Sequence, residues 1–332
     1  MGTHGIKKVA VVGAGTMGPG IAQVFAVAGY GVHLCDISEK AIERAQSVVR
    51  GNLETLAEND VISVSAIDAA QARISFTTSL EEAASDADLV AECIVEDRDA
   101  KRELFRLLDG VCPRDALIAS NTSYLNIFEL TVESRLTNTV IAHWFAPPHI
   151  LPLVEVVRGP KTSDGAAQLV LELLRKAGKV PILMDKFVPG FAINRLQRIL
   201  GREIFFLLDN GYITADQLDL AVKASIAPRM MLLGLVQRYD FTGLDLSAKN
   251  LENPDFTEAP ADNRPRSLFR LVEKGELGVK SGKGFYDYSG KPSIEILKER
   301  DSSLIKILKS VEFCFHETIG RLKGGKNGDQ TT

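Results

Sequence analysis

His143 and Glu155 are the two residues whose types and positions most plainly offer chemistry. His143 closes one apolar run, Thr139–His143, and Glu155 lies inside the next, Leu153-Val-Glu-Val-Val157. A carboxylate within an apolar strand is costly unless it is paired or hydrogen-bonded, and a neighbouring imidazole would offset that cost. The carboxylate would in turn fix the tautomer of the ring and raise its basicity. Such a pair is a general base, able to take the proton of a hydroxyl group. The spacing alone equally allows a satisfied core hydrogen bond with no catalytic role.

A second group stands near the start of the chain, where Val9 to Gly18 reads Val-Ala-Val-Val-Gly-Ala-Gly-Thr-Met-Gly. Gly13, Gly15 and Gly18 form G-x-G-x-x-G between a strand-like run and a helical pattern, with Thr16 and Met17 inside the loop. Gly13 permits a tight turn, Gly15 admits a pyrophosphate close to the backbone, and Gly18 lets helix and strand pack closely. The helix N-terminus adds free N–H groups and a positive dipole end. Asp36 ends the next strand, where its carboxylate can accept from the adenosine ribose hydroxyls and would repel a 2′-phosphate. The expected cofactor is therefore NAD rather than NADP. The competing reading is a glycine-rich turn in an α/β fold that binds nothing.

These residues need a frame. Apolar runs at Lys8–Val12, Gly31–Asp36, Arg73–Thr77, Leu89–Cys93, Ala116–Ala119, Thr139–His143, Leu153–Val157 and Lys179–Leu183 read as strands. Helical spacing separates many of them, at Thr16–Ala28, Glu39–Glu58, Arg98–Leu108 and Asp164–Ala177. The order begins βαβ and predicts a doubly wound, parallel sheet covered on both faces. After Pro189-Gly190 the pattern becomes helical throughout, at Phe191–Asp209, Thr214–Lys223, Met230–Tyr239 and Ser267–Lys274. The chain of 332 residues is thus expected to hold an α/β domain over 1–187 and an all-helical domain over 188–322, with a flexible tail at 323–332. Phe191–Asp209 is apolar nearly all round, which fits burial in a domain core or in a homodimer interface.

Hydrophobic residues at 45% and charged residues at 25% are ordinary for a globular chain and exclude a disordered or fibrous one. A net charge of −4 offers no footprint for nucleic acid or an anionic membrane, so neither is an expected partner. Cys35, Cys93, Cys112 and Cys314 are scattered, so no metal site or disulfide framework is expected, and a reducing cytoplasm fits best. No stretch is long and apolar enough for a membrane span, and no export signal is visible.

Six segments in order resemble the L-3-hydroxyacyl-CoA dehydrogenase family. They are Gly13 to Gly18; Glu92-Cys-Ile-Val-Glu96; Ser120-Asn-Thr-Ser123; His143 with Pro147 and Leu153-Val-Glu155; Gly190-Phe-Ala-Ile-Asn194-Arg195; and Gly278-Val-Lys-Ser-Gly-Lys-Gly-Phe-Tyr286. The resemblance covers about residues 6 to 288. It implies a Rossmann-type NAD domain followed by a helical domain that dimerises, and hydride transfer between NAD and a substrate hydroxyl carbon. By position it implies His143 as base, Glu155 as its orienting partner, Ser123 bonding the substrate hydroxyl and Asn194 holding the substrate. Glu96, Lys101 and Asn121 would attend the cofactor. Each has a plainer alternative: Ser123 could cap a helix starting near Leu125, Asn194 could serve the backbone, and Lys101 could be a solvated charge.

The leading substrate by resemblance is an L-3-hydroxyacyl-CoA, oxidised to the 3-oxoacyl-CoA. The competitor is a small uncoupled hydroxy acid or an aromatic alcohol, and a more remote reading is a non-catalytic, crystallin-like NAD-binding protein. Acyl-CoA members commonly carry an Asn where Ala146 stands and a Lys where Pro152 stands. Their basic helical arm is here the acidic Glu54-Thr-Leu-Ala-Glu-Asn-Asp60, with Arg50 its only strong base from Ser47 onward. The Pro-Leu-Val-Glu pattern is similar to lambda-crystallin/L-gulonate and carnitine dehydrogenases. Trp144 reads as packing more than as a substrate platform, His149 as a loop residue, and Arg229 as a surface ion pair or a substrate-carboxylate partner.

Overall fold

The computed structural model describes residues 5–315. The tail expected at 323–332 lies outside these residues. The chain divides into two compact units, one ending at Gln197 and the other beginning at Arg198.

The first unit is built on one eight-stranded sheet in the order β3-β2-β1-β4-β5-β6-β7-β8. Its strands are β1 (Lys8–Val12), β2 (Gly31–Cys35), β3 (Ile74–Thr77), β4 (Leu89–Glu92), β5 (Leu117–Ser120), β6 (Thr139–Trp144), β7 (Leu153–Arg158) and β8 (Val180–Met184). Its helices are α1 (Gly18–Val27), α2 (Glu39–Glu58), α3 (Val64–Gln71), α4 (Leu80–Ala84), α5 (Arg98–Val111) and α6 (Asp164–Lys176). Strand side chains alternate between two cores. Val9 and Val11 of β1 join Ile21 and Phe25 of α1 on one face, while Ala10 and Val12 join Phe105 and Leu108 of α5 on the other. Side-chain caps set the entry of four helices: Ser38 accepts from Ala41 N–H, Ser79 from Glu82, Asp97 from Asp99 and Ala100, and Ser163 from Ala166.

The sheet departs from the expected all-parallel arrangement at one end. β1 to β6 run parallel, but β7 runs antiparallel to β6, and β8 is parallel to β7. Residues 145–152 are too few for the crossover that a parallel β6–β7 pair would need, so the chain turns back on itself. That reversal places His143 directly opposite Glu155 in the ladder. Two short helices, α3 and α4, went unread in the sequence. Each has only one or two turns, too short for a helical period to emerge.

The boundary between the units falls inside α7 (Ile193–Asp209). The second unit continues with α8 (Ala215–Ala221), α9 (Ala227–Leu233), α10 (Gln237–Thr242), α11 (Leu244–Leu251), α12 (Arg266–Glu273) and α13 (Ser293–Val311). The single helix expected over Met230–Tyr239 is broken at Gly234, whose φ of 67° belongs to the left-handed region and ends α9. Helices α11 and α13 lie where no helix was read. The loop between Gly278 and Tyr286 folds on itself through Gly278 N–H donating to the Lys283 carbonyl. A Cβ on Gly284 would stand 2.9 Å from Gly278 Cα, which explains a glycine there.

Candidate active site

The glycine loop has the geometry its three glycines require. Gly13 has a φ of 109°, and a Cβ there would fall 2.5 Å from the Cys93 carbonyl oxygen. A Cβ on Gly18 would fall 1.8 Å from the Gly13 carbonyl, so α1 can approach β1 only without a side chain. Gly15 differs, because nothing lies within 4 Å of a Cβ there. It needs no space for the protein, and together with the exposed Thr16 it leaves the head of α1 open to a bound group, with half-buried Met17 behind them. Asp36 faces this loop: one carboxylate oxygen accepts from Ala14 N–H at 2.7 Å and the other from Ser38 N–H at 2.9 Å. Each oxygen keeps a lone pair for a ribose hydroxyl. These residues fit a dinucleotide.

A buried ionic cluster links the ends of β4 and β5. Glu92 is fully buried; its Oε1 accepts from Lys101 Nζ at 2.6 Å and from Ile94 N–H, and its Oε2 accepts from Ser120 Oγ at 2.5 Å. Lys101 is 1% exposed and also reaches Glu96 Oε2 at 3.4 Å, so it is no solvated charge. Glu96 Oε1 then accepts from the Thr122 hydroxyl at 2.6 Å and from the amides of Ser123 and Tyr124. Burial opposes ionisation of Glu96, yet the Thr122 hydroxyl, the Lys101 ammonium and the two amides together hold its carboxyl below the ordinary value. Lys101 thus acts on the site through Glu96, by fixing the turn that carries Ser123.

His143 and Glu155 meet as a buried pair. Nδ1 of the ring lies 2.8 Å from Glu155 Oε2, and the residues are 4% and 0% exposed. Glu155 Oε1 accepts from Ala192 N–H at 2.9 Å and Ile193 N–H at 3.0 Å, so one carboxylate holds both the ring and the first turn of α7. Phe191 makes this possible by adopting a φ of 50°, rare for a residue with a side chain, while its buried ring lies 5.2 Å from the imidazole. Such a conformation costs on the order of 1 kcal/mol, offset here by the two bonds to Glu155 and by burial. With Nδ1 held by Glu155, Nε2 is the nitrogen able to take a proton.

Ser123 and Asn194 are brought together, with Asn194 Nδ2 3.5 Å from the Ser123 carbonyl. Ser123 caps no helix; the chain forms only a 3₁₀ turn at Ile127–Glu129, and Thr122 Oγ1 accepts from Leu125 N–H instead. Asn121 Oδ1 accepts from Trp144 N–H at 2.8 Å and ties the end of β5 to the end of β6. Its carbonyl is therefore engaged within the protein. Trp144 is buried against Phe25, with ring centroids 5.8 Å apart, and is packing rather than a platform. Arg229, in the second unit, donates to the carbonyl and the hydroxyl of Ser225 and forms no ion pair among the described residues.

Sequence reasoning missed Glu92, Thr122 and Phe191 as site-builders. Glu92 carried a readable signal, since it is a carboxylate in an apolar strand as Glu155 is, at the end of its run rather than inside it. Phe191 carried none, because its role depends on a backbone angle.

The profile of the 3-hydroxyacyl-CoA dehydrogenase NAD-binding domain matches residues 8–187, and that of the family's C-terminal domain matches residues 190–288. The chain belongs to the 3-hydroxyacyl-CoA dehydrogenase family. It is 37% identical over 290 residues to a probable 3-hydroxybutyryl-CoA dehydrogenase of Bacillus subtilis, covering 87% of this chain and 99% of the relative. It is 32% identical over 313 residues to 5-formyl-3-hydroxy-2-methylpyridine 4-carboxylate 5-dehydrogenase of Mesorhizobium japonicum, covering 92% and 99%. A crystal structure of a 5-dehydrogenase of that pyridine acid, described as an NAD+-dependent dismutase, superposes with a TM-score of 0.83 at 30% identity, covering 92% and 99%. This family member is an NAD-dependent oxidoreductase acting on CH–OH groups, with the Rossmann-type domain and helical C-terminal domain of the family.

Proposed function

We propose that this dehydrogenase oxidises, reversibly, the hydroxyl group of a small carboxylic acid that is not joined to CoA, with His143 as the base. The observation that carries the base assignment is the buried contact of His143 Nδ1 with Glu155 at 2.8 Å. Bound NAD would supply the acceptor for the hydride that leaves the carbinol carbon. Gly13, Gly15, Thr16, Met17, Gly18 and Asp36 would hold its adenosine and pyrophosphate, and Glu96, Asn121 and, through Glu96, Lys101 its nicotinamide end. His143 Nε2 takes the hydroxyl proton, and Glu155 stabilises the resulting imidazolium without itself needing to move. The Ser123 hydroxyl and the Asn194 amide orient the substrate oxygen.

Resemblance alone favoured an acyl-CoA substrate, but the arm that would meet CoA speaks for a smaller one. Arg50, its only strong base, donates to Glu54 at 2.7 Å, to Asp68 at 3.2 Å and to Gln71 at 2.7 Å. Its guanidinium is already committed among acidic neighbours, and a polyphosphate would meet net negative charge there. The similarity to a pyridine-carboxylate dehydrogenase over 92% of the chain supports the same reading. Identity of 37% to a probable 3-hydroxybutyryl-CoA dehydrogenase supports the thioester as the second reading.

A homodimer completes the proposal. Among the described residues of the second unit, Ala259 and Ile305 are the buried hydrophobic side chains, whereas Leu235, Tyr239, Phe241, Leu244, Leu251 and Phe256 are exposed by 37% or more. A unit this poor in core needs a second copy to cover it. The four free cysteines suit a reducing compartment such as the cytoplasm, and among the described residues no helix is long and apolar enough to cross a membrane.

The test is NADH oxidation with acetoacetyl-CoA and, in parallel, with free acetoacetate and a panel of aromatic and aliphatic oxo acids. Turnover confined to free acids is the expected result, and turnover confined to the thioester would overturn the substrate assignment. Light scattering is expected to give twice the chain mass.

A further inference from the structure

Lys179 is a buried cation that the chemistry described above does not use. It stands between α6 and β8, where Gly178 takes a φ of 75° and Lys179 N–H donates to the Leu174 carbonyl, so its backbone is fixed. Its side chain turns inward. Nζ donates to the Pro148 carbonyl at 2.6 Å and to the Leu151 carbonyl at 3.0 Å, and it lies 5.5 Å from the centroid of the Trp144 ring. Those three partners belong to a single stretch of chain: the end of β6 and the turn that joins it to β7.

That turn connects the two halves of the catalytic pair. His143 lies just before it and Glu155 just after it, and Phe145 within it sets its ring edge-on to the imidazole at 4.6 Å. The turn closes through Ile150 and Leu151 N–H groups donating to the Pro147 carbonyl, which leaves the Pro148 and Leu151 carbonyls pointing to Lys179. Its other side rests on the cofactor helix, since a Cβ on Gly20 of α1 would come within 2.7 Å of the Pro148 ring. Burying an ammonium is costly unless hydrogen bonds and a π-face compensate, and the two carbonyls with Trp144 supply both. Burial still lowers the Lys179 pKa to about 8, a measure of how far the charge has been drawn from water.

We propose that Lys179 is a positioning residue of the dehydrogenase reaction, an ammonium clamp that holds the β6–β7 turn so that Phe145 and the cofactor helix fix the His143 ring in its reactive orientation. The ladder between β6 and β7 sets which residues face each other, and the clamp sets the packing on the open side of the ring. The Lys179 ammonium is taken up by the Pro148 and Leu151 carbonyls and the Trp144 ring, so its part is to position and not to react. The proposal rests on the assignment of His143 as base, and the test separates the two.

Trp144 is the only tryptophan of the chain, so its fluorescence reports on the clamp directly and needs no substrate. K179M, K179R and, as the control for the base, H143Q are compared with the wild type. Acrylamide quenching of Trp144 is measured beside kcat and the NADH dissociation constant, with the carbonyl acid found by the assay above or, failing one, acetoacetyl-CoA. In K179M the quenching constant is expected to rise about threefold and kcat to fall at least about tenfold, as small displacements of reacting groups do, with NADH binding within about twofold of wild type. K179R keeps charge and donors and is expected to recover most of the lost kcat.

Unchanged quenching in K179M would overturn the clamp. Raised quenching with kcat within twofold of wild type would overturn its part in positioning. A K179R variant as slow as K179M would do so too, by tracing the loss to steric fit. If K179M does not fold, K179Q, which loses the charge and shortens the reach, is read by the same criteria. Normal turnover by H143Q would remove the base assignment itself and leave the quenching result to judge the clamp alone.

Discussion

Two buried carboxylates in the same sheet, Glu155 and Glu92, have nearly identical surroundings by burial and opposite uses. Both are fully buried in strands, and both bind backbone amides, Glu92 that of Ile94 just beyond its own strand and Glu155 those of Ala192 and Ile193 at the start of α7. Glu92 faces the ammonium of Lys101 and the hydroxyl of Ser120, partners that act on it only as hydrogen-bond donors. Glu155 faces an imidazole, which has a second ring nitrogen beyond the one the carboxylate binds. The first arrangement is a fixed ionic joint that shapes the Thr122–Tyr124 turn through Glu96. The second leaves the far nitrogen open to the base role proposed for it. Burial therefore marks neither carboxylate as catalytic; the chemistry of the partner does.

The contrast can be broken in order of expected effect. His143→Gln removes the movable proton and is expected to lower kcat by about a thousandfold or more while NADH binding stays within twofold, as read by steady-state rates and fluorescence titration. Lys101→Met breaks the fixed joint and leaves Glu92 uncompensated, which is expected to cost about 3–5 kcal/mol of stability in urea unfolding. Glu155→Gln keeps a hydrogen-bonding side chain without its charge, so the loss in kcat is expected to be about 10- to 100-fold, smaller than that of His143→Gln.

The smallest effect concerns Glu96, whose carboxyl is held below the ordinary 4.5 by Thr122, Lys101 and two amides against the opposing effect of burial. A depressed folded value contributes stability that is present above 4.5 and lost as pH falls through the folded value. Melting from pH 7 to 3 should therefore show the advantage of the wild type over Glu96→Gln shrinking below about 4.5. A constant advantage would mean that Glu96 acts through packing rather than charge.

Much of this was legible from residue types. The strand runs, the glycine loop, Asp36 and the His143–Glu155 pair all depend on local pattern or on the cost of burying a charge, and both are written in the sequence. The reversal of β7 was not read, although the shortness of residues 145–152 implied it. The environment of Lys101 was open between solvent and site, because spacing along a helix does not say which face a neighbouring strand end will cover. Phe191 and Lys179 were invisible, since one acts through a backbone angle and the other through carbonyls that only the folded turn presents. The openness of the helical unit was likewise hidden: its apolar residues are numerous, and the sequence does not say whether they cover one another or a second copy.

The central claim is that Glu155 holds the proton on His143 Nδ1 and leaves Nε2 as the base. Nitrogen-15 NMR of the histidine-labelled protein, with the His143 signals assigned by their loss in His143→Gln, tests it without a substrate. The account predicts a neutral ring with its proton on Nδ1 and a strongly deshielded bonded proton that disappears in Glu155→Gln. A neutral ring with its proton on Nε2 would contradict it, because that nitrogen could not then accept the hydroxyl proton.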